Sequence, residues 1–245
     1  SLIEQGLAYP CFCTEEDLQK VREQQEALKI RTGYHGEWAK HRDITVSEAK
    51  ALIDEGKPFV VRLRSPGSEE NKVVFEDGIK GKIEMPENDE DFVILKSDGI
   101  PTYHFAHAVD DHLMRTTHVV RGEEWLMSLP IHVELFEALR FKLPTYCHTA
   151  VLMKIDEETG NKRKLSKRKD PELSLEFYRQ EGYYSRAVKV YMLTLLNSNF
   201  EEWYLNNSDK NIEDFEFTFE KMAIGGTSFD IEKLNNISKT YFSRK

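Results

Sequence analysis

Several features that define other protein classes are scarce or missing in this sequence. Its 245 residues include only three cysteines, Cys11, Cys13 and Cys147, too few and too unevenly spaced for the disulfide framework of a small secreted domain. No run of about 18 apolar residues occurs, and the N-terminal residues have neither the basic start nor the apolar stretch of a signal peptide. These absences predict a soluble, cytoplasmic protein without a membrane partner.

The sequence also lacks the motif of P-loop enzymes, a glycine-rich loop followed by Lys and Ser or Thr. It contains no internal repeat and no low-complexity linker. A net charge of −9 argues against a surface that is basic throughout, so any contact with RNA requires a local basic patch. The length is sufficient for one large domain or two small ones, each with a buried core.

One basic patch is present. Six of the eight residues from Lys162 to Lys169 are basic. Within it, Lys164 and Lys167 bracket Ser166, and ammonium groups three residues apart on a loop can bind successive oxygens of a polyphosphate and stabilise a leaving pyrophosphate. The alternatives are a solvated basic loop and a patch that holds RNA without sequence preference.

Helix signals are clearest near the N-terminus. Thr14, followed by three acidic residues, predicts an N-cap and a solvated helix to Arg31. Thr45 and Glu48 form a capping-box pattern at the start of a second helix, which should stop at Gly56.

Further along the chain, the hydrophobic pattern predicts an α/β core with a helical tail. Short strands are predicted at 59–64, 72–75, 92–95, 117–120 and 151–153. Helices are predicted at 103–113, at about 124–140 and, after the strand at 151–153, to the end of the chain. On the helix 103–113, the side chains of Tyr103, His107 and Asp110 or Asp111 could line one pocket.

Two smaller groups could bind ligands. Arg121 lies at the end of a predicted strand, where an arginine offers a fork for a carboxylate, although a surface salt bridge is an equal alternative. Cys11 and Cys13 alternate, so both thiols would face the same side of a strand. Two sulfurs do not make a zinc site, which normally takes four ligands, and the local completions are His35 and His41.

Taken in order, five segments resemble bacterial glutamyl-tRNA synthetases, which are class I ligases. The segments are Leu7–Thr14, Asp98–Ala106, Val109–Met114, Thr117–Trp125 and Lys164–Arg168, the last resembling the motif usually written KMSKS. The likeness covers nearly the whole chain. It implies an α/β fold that is part of a class I Rossmann-like catalytic domain, with an inserted α+β acceptor-end-binding domain and a C-terminal helical stem-contact region. The implied boundaries are 1–96 for mostly the inserted domain, 97–169 for the second half of the catalytic domain and 170–245 for the stem-contact region.

The resemblance also implies a function and a set of site residues. The expected activity is glutamate–tRNA ligase, with ATP as substrate, Mg²⁺ beside its phosphates, glutamate and the acceptor end of tRNA(Glu) as partners, and a monomeric protein. The glutamate-binding positions are Tyr103, Arg121 and His107, the last where many relatives have asparagine. Glu124, Trp125 and Leu152 fall at positions that flank the adenosine of ATP, and Lys164 and Lys167 would bind the triphosphate and act as catalytic residues.

Two departures from the family pattern lead to further expectations. Trp38 and Lys40 stand near the positions where some relatives have the other two zinc ligands, so no zinc is expected. The first ATP motif, usually written HIGH, and the anticodon-binding domain have no counterpart in the 245 residues, so we expect this chain alone not to form the adenylate at a useful rate. The alternatives are a glutaminyl-tRNA synthetase and a non-catalytic RNA-binding fragment.

Overall fold

A computed structural model describes residues 1–156 and 158–243. The described chain divides into two compact units, and each unit is assembled from three separate segments of the sequence. Unit 1 comprises Ser1–Phe75, Ile83–Thr117 and Met127–Pro144, and unit 2 comprises Glu76–Lys82, His118–Leu126 and the chain from Thr145 onward.

The described residues form strands and helices that occur in runs of either kind along the chain. The strands are β1 (Ala8–Cys11), β2 (Val60–Leu63), β3 (Lys72–Asp77), β4 (Gly81–Pro86), β5 (Val93–Leu95), β6 (His118–Gly122), β7 (Thr145–Thr149), β8 (Leu152–Ile155), β9 (Lys162–Lys164) and β10 (Thr227–Ser228). The α-helices are α1 (Glu15–Ala27), α2 (Val46–Asp54), α3 (Tyr103–Leu113), α4 (Leu129–Ala138), α5 (Leu175–Gln180), α6 (Ser185–Leu196), α7 (Phe200–Asn206) and α8 (Ile231–Ser243).

Unit 1 is built on the antiparallel sheet β1-β2-β5, against which α3 packs with α4 beside it. Strand β2 lies in the middle and is buried from Val61 to Leu63, as expected for a strand paired on both edges. The core contains apolar side chains from the strands and from both helices. Its buried members are Ala8, Val61, Leu63, Phe92, Ile94, Ala108, Leu135 and Phe136.

Unit 2 contains two small sheets and most of the helical tail. Strands β6 and β7 run parallel, with Arg121 opposite His148. The second sheet has the order β10-β8-β9, in which β8 and β9 form an antiparallel hairpin. Unit 2 also has a core of buried residues from the loop after β9, from α5, α6 and α8, and from the short segment between β10 and α8. These residues are Leu165, Tyr178, Val188, Tyr191, Leu195, Phe229 and Leu234.

Both predicted helix starts are confirmed. The Thr14 hydroxyl accepts from the backbone N–H of Asp17, and the Thr45 hydroxyl accepts from that of Glu48, while each acid bonds back to the cap residue. The first helix, however, ends at Ala27 rather than at Arg31, and Lys29 has a left-handed φ of 56°. A left-handed residue cannot continue an α-helix, so the charged residues that follow form a loop.

The prediction of one helix over 124–140 was wrong in its first part. Residues Glu123–Ser128 form a 3₁₀ helix, and the α-helix begins only at Leu129. Pro130 is the cause that sequence inspection could have used, because proline is favoured in the first turn of a helix and lacks the N–H needed in its interior. Strands β4 and β7 were not predicted.

No helix among the described residues is both long enough and apolar enough to cross a bilayer.

Candidate active site

The basic loop of unit 2 leaves the β8–β9 hairpin and is held at its base by a buried acid. The Asp170 side chain, 0% exposed, accepts two hydrogen bonds from the Arg163 guanidinium, at 2.7 and 2.8 Å. It also accepts one from the backbone N–H of Ser166 at 2.7 Å. The Asp170 N–H in turn donates to the Ser166 carbonyl at 2.8 Å. Asp170 therefore fixes the backbone of the loop between Lys164 and Lys169.

The charges around Asp170 stabilise its ionised form. Hydrogen bonds from Arg163 outweigh the cost of burial, so the pKa of Asp170 lies well below its usual range. Arg163 donates a further hydrogen bond to Asp156 at 2.8 Å, and Lys154 pairs with Glu172 at 2.8 Å. Arg163 is thus engaged within the fold, whereas sequence inspection grouped it with the solvent-facing charges of the patch.

The two lysines predicted to bind phosphate are on the exposed side of this loop. Lys164 is the last residue of β9, and its ammonium lies 3.5 Å from the carboxylate of Glu124. Lys167 follows in the turn and is exposed. Glu124 was predicted to lie beside the adenosine, so one predicted ATP residue lies within ion-pair distance of another. Leu152 starts the partner strand β8, and its backbone carbonyl accepts from the N–H of Leu165 at 2.9 Å.

Arg121 lies near the carboxyl-terminal end of β6, and neighbouring side chains orient its guanidinium. Its Nε donates to Nε2 of His148 at 3.0 Å, and Nδ1 of His148 lies 2.6 Å from Oδ2 of Asp77. The guanidinium lies over the ring of Tyr146 at 4.8 Å, and Nη2 contacts the Trp125 carbonyl at 3.4 Å. Arg121 is therefore a half-buried cation whose guanidinium is oriented by these contacts.

Tyr103 and His107 belong to unit 1, one turn apart on α3. Their rings stack with centroids 5.9 Å apart and an interplanar angle of 12°. Nδ1 of His107 also lies 2.8 Å from Oδ2 of Asp111, so hydroxyl, imidazole and carboxylate groups follow one another along α3. That they line one pocket stays a prediction. The structure brings Arg121, Glu124, Trp125, Leu152, Lys164 and Lys167 into unit 2.

Cys11, the last residue of β1, and Cys13 just after it turn their sulfurs to the same side, as expected. The sulfurs of Cys11 and Cys13 lie 3.8 and 3.4 Å from Nδ1 of His41, and 3.3 and 3.4 Å from the Tyr34 hydroxyl. In the described part of the chain, Cys11, Cys13 and His41 form a group whose donor atoms all lie within 4.8 Å of one another. His41, not His35, is the histidine that meets the sulfurs.

Three buried residues that hold the site were not singled out from the sequence. His148 and Asp77 hold Arg121, and Asp170 holds the loop of Lys164 and Lys167. Asp170 could have been suspected, since an acid that ends a basic run is a ready counter-charge. His148 and Asp77 lie 71 residues apart, so only the fold brings them together.

Comparisons with known proteins identify the family of this chain. The family described as tRNA synthetases class I (E and Q), catalytic domain, matches residues 1–236. The chain belongs to this family. A relative named glutamate–tRNA ligase from Acetivibrio thermocellus is 55% identical over 243 residues, which cover 99% of this chain and 44% of the relative. Another with the same name, from Sorangium cellulosum, is 47% identical over 255 residues and is covered to 45%.

A solved structure in the same family has a similar fold. It is described as a glutamate tRNA ligase from Elizabethkingia meningosepticum in complex with its amino acid, and it superimposes with a TM-score of 0.84 at 30% identity. The match covers 100% of this chain and 51% of that one. The chain therefore has the α/β architecture of class I synthetases of the E and Q type, and it spans about half the length of the family members it matches.

Proposed function

We propose that the protein carrying this sequence is a glutamate–tRNA ligase. The observation that supports this best is the arrangement in unit 2, where an oriented arginine at a strand end accompanies a lysine loop whose Lys164 lies 3.5 Å from Glu124. The relatives named above share the activity in their names. The chain covers less than half of those relatives, so the activity is proposed for the natural protein at its full length.

The proposed reaction has two steps. A carboxylate oxygen of glutamate forms a bond to the α-phosphorus of ATP, and the bond to the bridging oxygen breaks to release pyrophosphate. A ribose hydroxyl at the tRNA 3′ end then takes the glutamyl group and AMP leaves. Mg²⁺, held largely by the phosphates of ATP, would supply charge neutralisation there.

The protein contributes position and charge to this reaction. The Arg121 guanidinium offers planar donors to a carboxylate of glutamate, and Tyr103 and His107 on α3 add hydroxyl and imidazole groups to amino acid recognition. Trp125 and Leu152 provide apolar surface for adenine, with Glu124 beside them. Lys164 and Lys167 bind the triphosphate, and their charges stabilise the pyrophosphate as it leaves.

The domain assignment remains part of the proposal. We propose that 1–96 mostly bind the acceptor end, that 97–169 complete the catalytic domain and that 170–245 contact the tRNA stem. A monomer in the cytoplasm, where tRNA is charged, is the proposed state. Sedimentation at working concentration tests the monomer directly.

The zinc site of some relatives is not expected here. Cys11, Cys13 and His41 offer three donors within the described residues, one fewer than a closed tetrahedral site takes. Burial raises the pKa of Tyr34, which keeps its hydroxyl protonated beside the sulfurs. Elemental analysis of the purified protein tests this expectation. One equivalent of tightly bound zinc would contradict it and make Tyr34 the candidate fourth ligand.

The function is tested in the natural full-length protein by tRNA-dependent exchange of pyrophosphate into ATP, with glutamate and with glutamine. We expect exchange with glutamate and a loss of about 100-fold in Lys167→Ala, because a charge that stabilises the leaving group is removed. Lys162→Ala, an exposed lysine on β9, is the matched control and should stay within about twofold of wild type, since it removes no charge assigned to the transition state. Exchange only with glutamine would indicate the glutaminyl enzyme, and no exchange with either would favour an RNA-binding role.

A further inference from the structure

A line of three polar side chains crosses the interior of unit 2. It runs from Asp77 through His148 to Arg121, with contacts of 2.6 and 3.0 Å. The side chains of Asp77 and His148 are both 0% exposed. Buried polar groups cost free energy unless their hydrogen bonds are satisfied. Apolar packing therefore does not explain why Asp77 and His148 are paired here.

The hydrogen bonds determine where the proton of His148 lies. A guanidinium has donors and no acceptor, so Nε2 of His148 must accept from the Arg121 Nε–H. The ring proton is therefore on Nδ1, where Asp77 accepts it. This tautomer is the one that allows His148 to face Arg121 without two opposed N–H groups.

Asp77 is itself held by the backbone. Its Oδ1 accepts from the N–H groups of Ile79 and Lys80, both at 2.9 Å, and Oδ2 accepts from the N–H of His148 at 3.2 Å. Burial opposes ionisation, but the bonds from the His148 side chain and from these backbone groups outweigh it and lower the pKa of Asp77. The acceptor of the line is thus an ionised carboxylate with little freedom to move.

The strand register and a tight turn supply the geometry. Arg121 and His148 are partners across the parallel strands β6 and β7, so their side chains leave the sheet on the same side. The turn that carries Asp77 contains Gly78, where an added Cβ would lie 2.6 Å from the sulfur of the buried Cys147. Only glycine permits this close approach of the turn to β7.

We propose that His148 and Asp77 are positioning residues that hold the Arg121 guanidinium in the orientation required to bind a carboxylate of the amino acid substrate. This inference rests on the proposed function, since it assigns a purpose to the glutamate-binding arginine. Neither residue touches the substrate in this assignment. Each acts through Arg121, His148 directly and Asp77 by selecting the tautomer of His148.

The first experiment separates substrate binding from folding. In the natural full-length protein, His148→Leu removes the acceptor for Nε, whereas His148→Gln places an amide oxygen close to the position of Nε2. We expect His148→Leu to raise the KM for glutamate by about 30-fold, with the KM for ATP within about twofold, because misplacing a substrate-binding group by 1 Å can cost about 100-fold. His148→Gln should restore the KM for glutamate to within about fivefold of wild type, because its oxygen can again accept from Arg121.

Asp77→Asn tests the tautomer. An amide at this position can donate to Nδ1 of His148 and move the ring proton to Nε2, opposite the Arg121 Nε–H. We expect the KM for glutamate to rise by about tenfold, again with the KM for ATP unchanged, by the same loss of alignment. His118→Leu, an exposed histidine of the same sheet, is the matched control and should leave both constants unchanged.

If the KM for glutamate and the KM for ATP rise equally in His148→Leu, without rescue by His148→Gln, the inference is overturned and the Asp77–His148 pair is a structural feature.

A second measurement does not depend on activity. We expect the Arg121 Nε–H, followed by ¹⁵N NMR, to exchange with solvent at least tenfold faster in His148→Leu and Asp77→Asn than in wild type, since a hydrogen-bonded N–H exchanges only when it opens. Unchanged exchange of the Arg121 Nε–H refutes the positioning role. Accelerated exchange in a protein that does not activate glutamate means that His148 and Asp77 do hold Arg121, but that the proposed function is wrong.

Discussion

Glu134 illustrates how one buried residue can make stability depend on pH. On α4, its Oε2 accepts from the Ser65 hydroxyl at 2.8 Å and from the Asn88 amide at 2.9 Å. Its Oε1 is buried and has no hydrogen-bond partner among the described residues. Burial raises the pKa of Glu134 to about 7, from an ordinary value of 4.5. Near neutral pH, ionising this carboxyl therefore costs free energy that the unfolded chain does not require.

The sign of the effect follows from the raised pKa. The contribution of Glu134 to stability is fully present below about pH 4.5 and is lost as pH rises through about 7. We expect Glu134→Gln, which cannot ionise, to increase the free energy of unfolding by about 2 kcal/mol at pH 8 and by little at pH 4.5. Urea denaturation at both pH values measures this, with the exposed Glu202→Gln as control. A gain that is equal at the two values would show that Glu134 does not titrate in this range.

At the scale of elements, the loop after β9 depends on one acid for its shape. Asp170 binds Arg163 and the Ser166 backbone, so it connects the hairpin to the segment that contains Lys167. Asp156 also accepts from Arg163, but its other side-chain hydrogen bonds come from Glu158 and Thr159 in the turn between β8 and β9. Substituting the two acids one at a time therefore distinguishes two effects, the loss of a counter-charge to Arg163 and the loss of the geometry of the lysine loop.

We expect Asp170→Asn in the full-length protein to raise the KM for ATP by about tenfold, with the KM for glutamate within about twofold, because the lysines lose their alignment. Loss of a buried charge beside Arg163 should also lower the free energy of unfolding by about 3 kcal/mol. Steady-state kinetics and urea titration measure the two effects. Asp156→Asn is the matched control and should leave the KM for ATP unchanged. If both variants raise the KM for ATP equally, the cause is the loss of a counter-charge to Arg163 and not the loss of the loop anchor.

At the scale of the whole molecule, each unit has its own apolar core. Leu135 on α4 belongs to the core of unit 1, and Leu234 on α8 belongs to that of unit 2. Both leucines are 0% exposed. This provides a matched pair of residues of the same type and burial in two cores.

We expect Leu135→Ala and Leu234→Ala each to lower the free energy of unfolding by about 2 to 5 kcal/mol, because each leaves a cavity in a packed core. Hydrogen exchange followed by mass spectrometry should show the larger loss of amide protection in the unit that carries the substitution. Leu113→Ala, a highly exposed leucine on α3, is the control. Equal losses of protection in both units from either substitution would mean that the two cores unfold as one.

Local rules predicted much of the fold because the responsible contacts are close in sequence. The caps at Thr14 and Thr45 and helix α3 each depend on residues three or four positions apart, and the structure confirms them. Strand β7 escaped prediction because its pairing partner β6 is distant in sequence and its buried residues include the polar His148. A polar residue such as His148 can be predicted to be buried only when the side chain that satisfies its hydrogen bonds is known.

The candidate site divides in the same way. The sequence by itself determined the family, the lysine loop and the chemical types of the residues expected at the site, because these are carried by short motifs such as Lys164–Arg168 and Thr117–Trp125. Only the tertiary structure decided which acids hold those residues, and that His41 meets Cys11 and Cys13. The reason is physical. A motif records local spacing, whereas hydrogen bonds between side chains 71 positions apart, as for Asp77 and His148, exist only after strands and turns have packed.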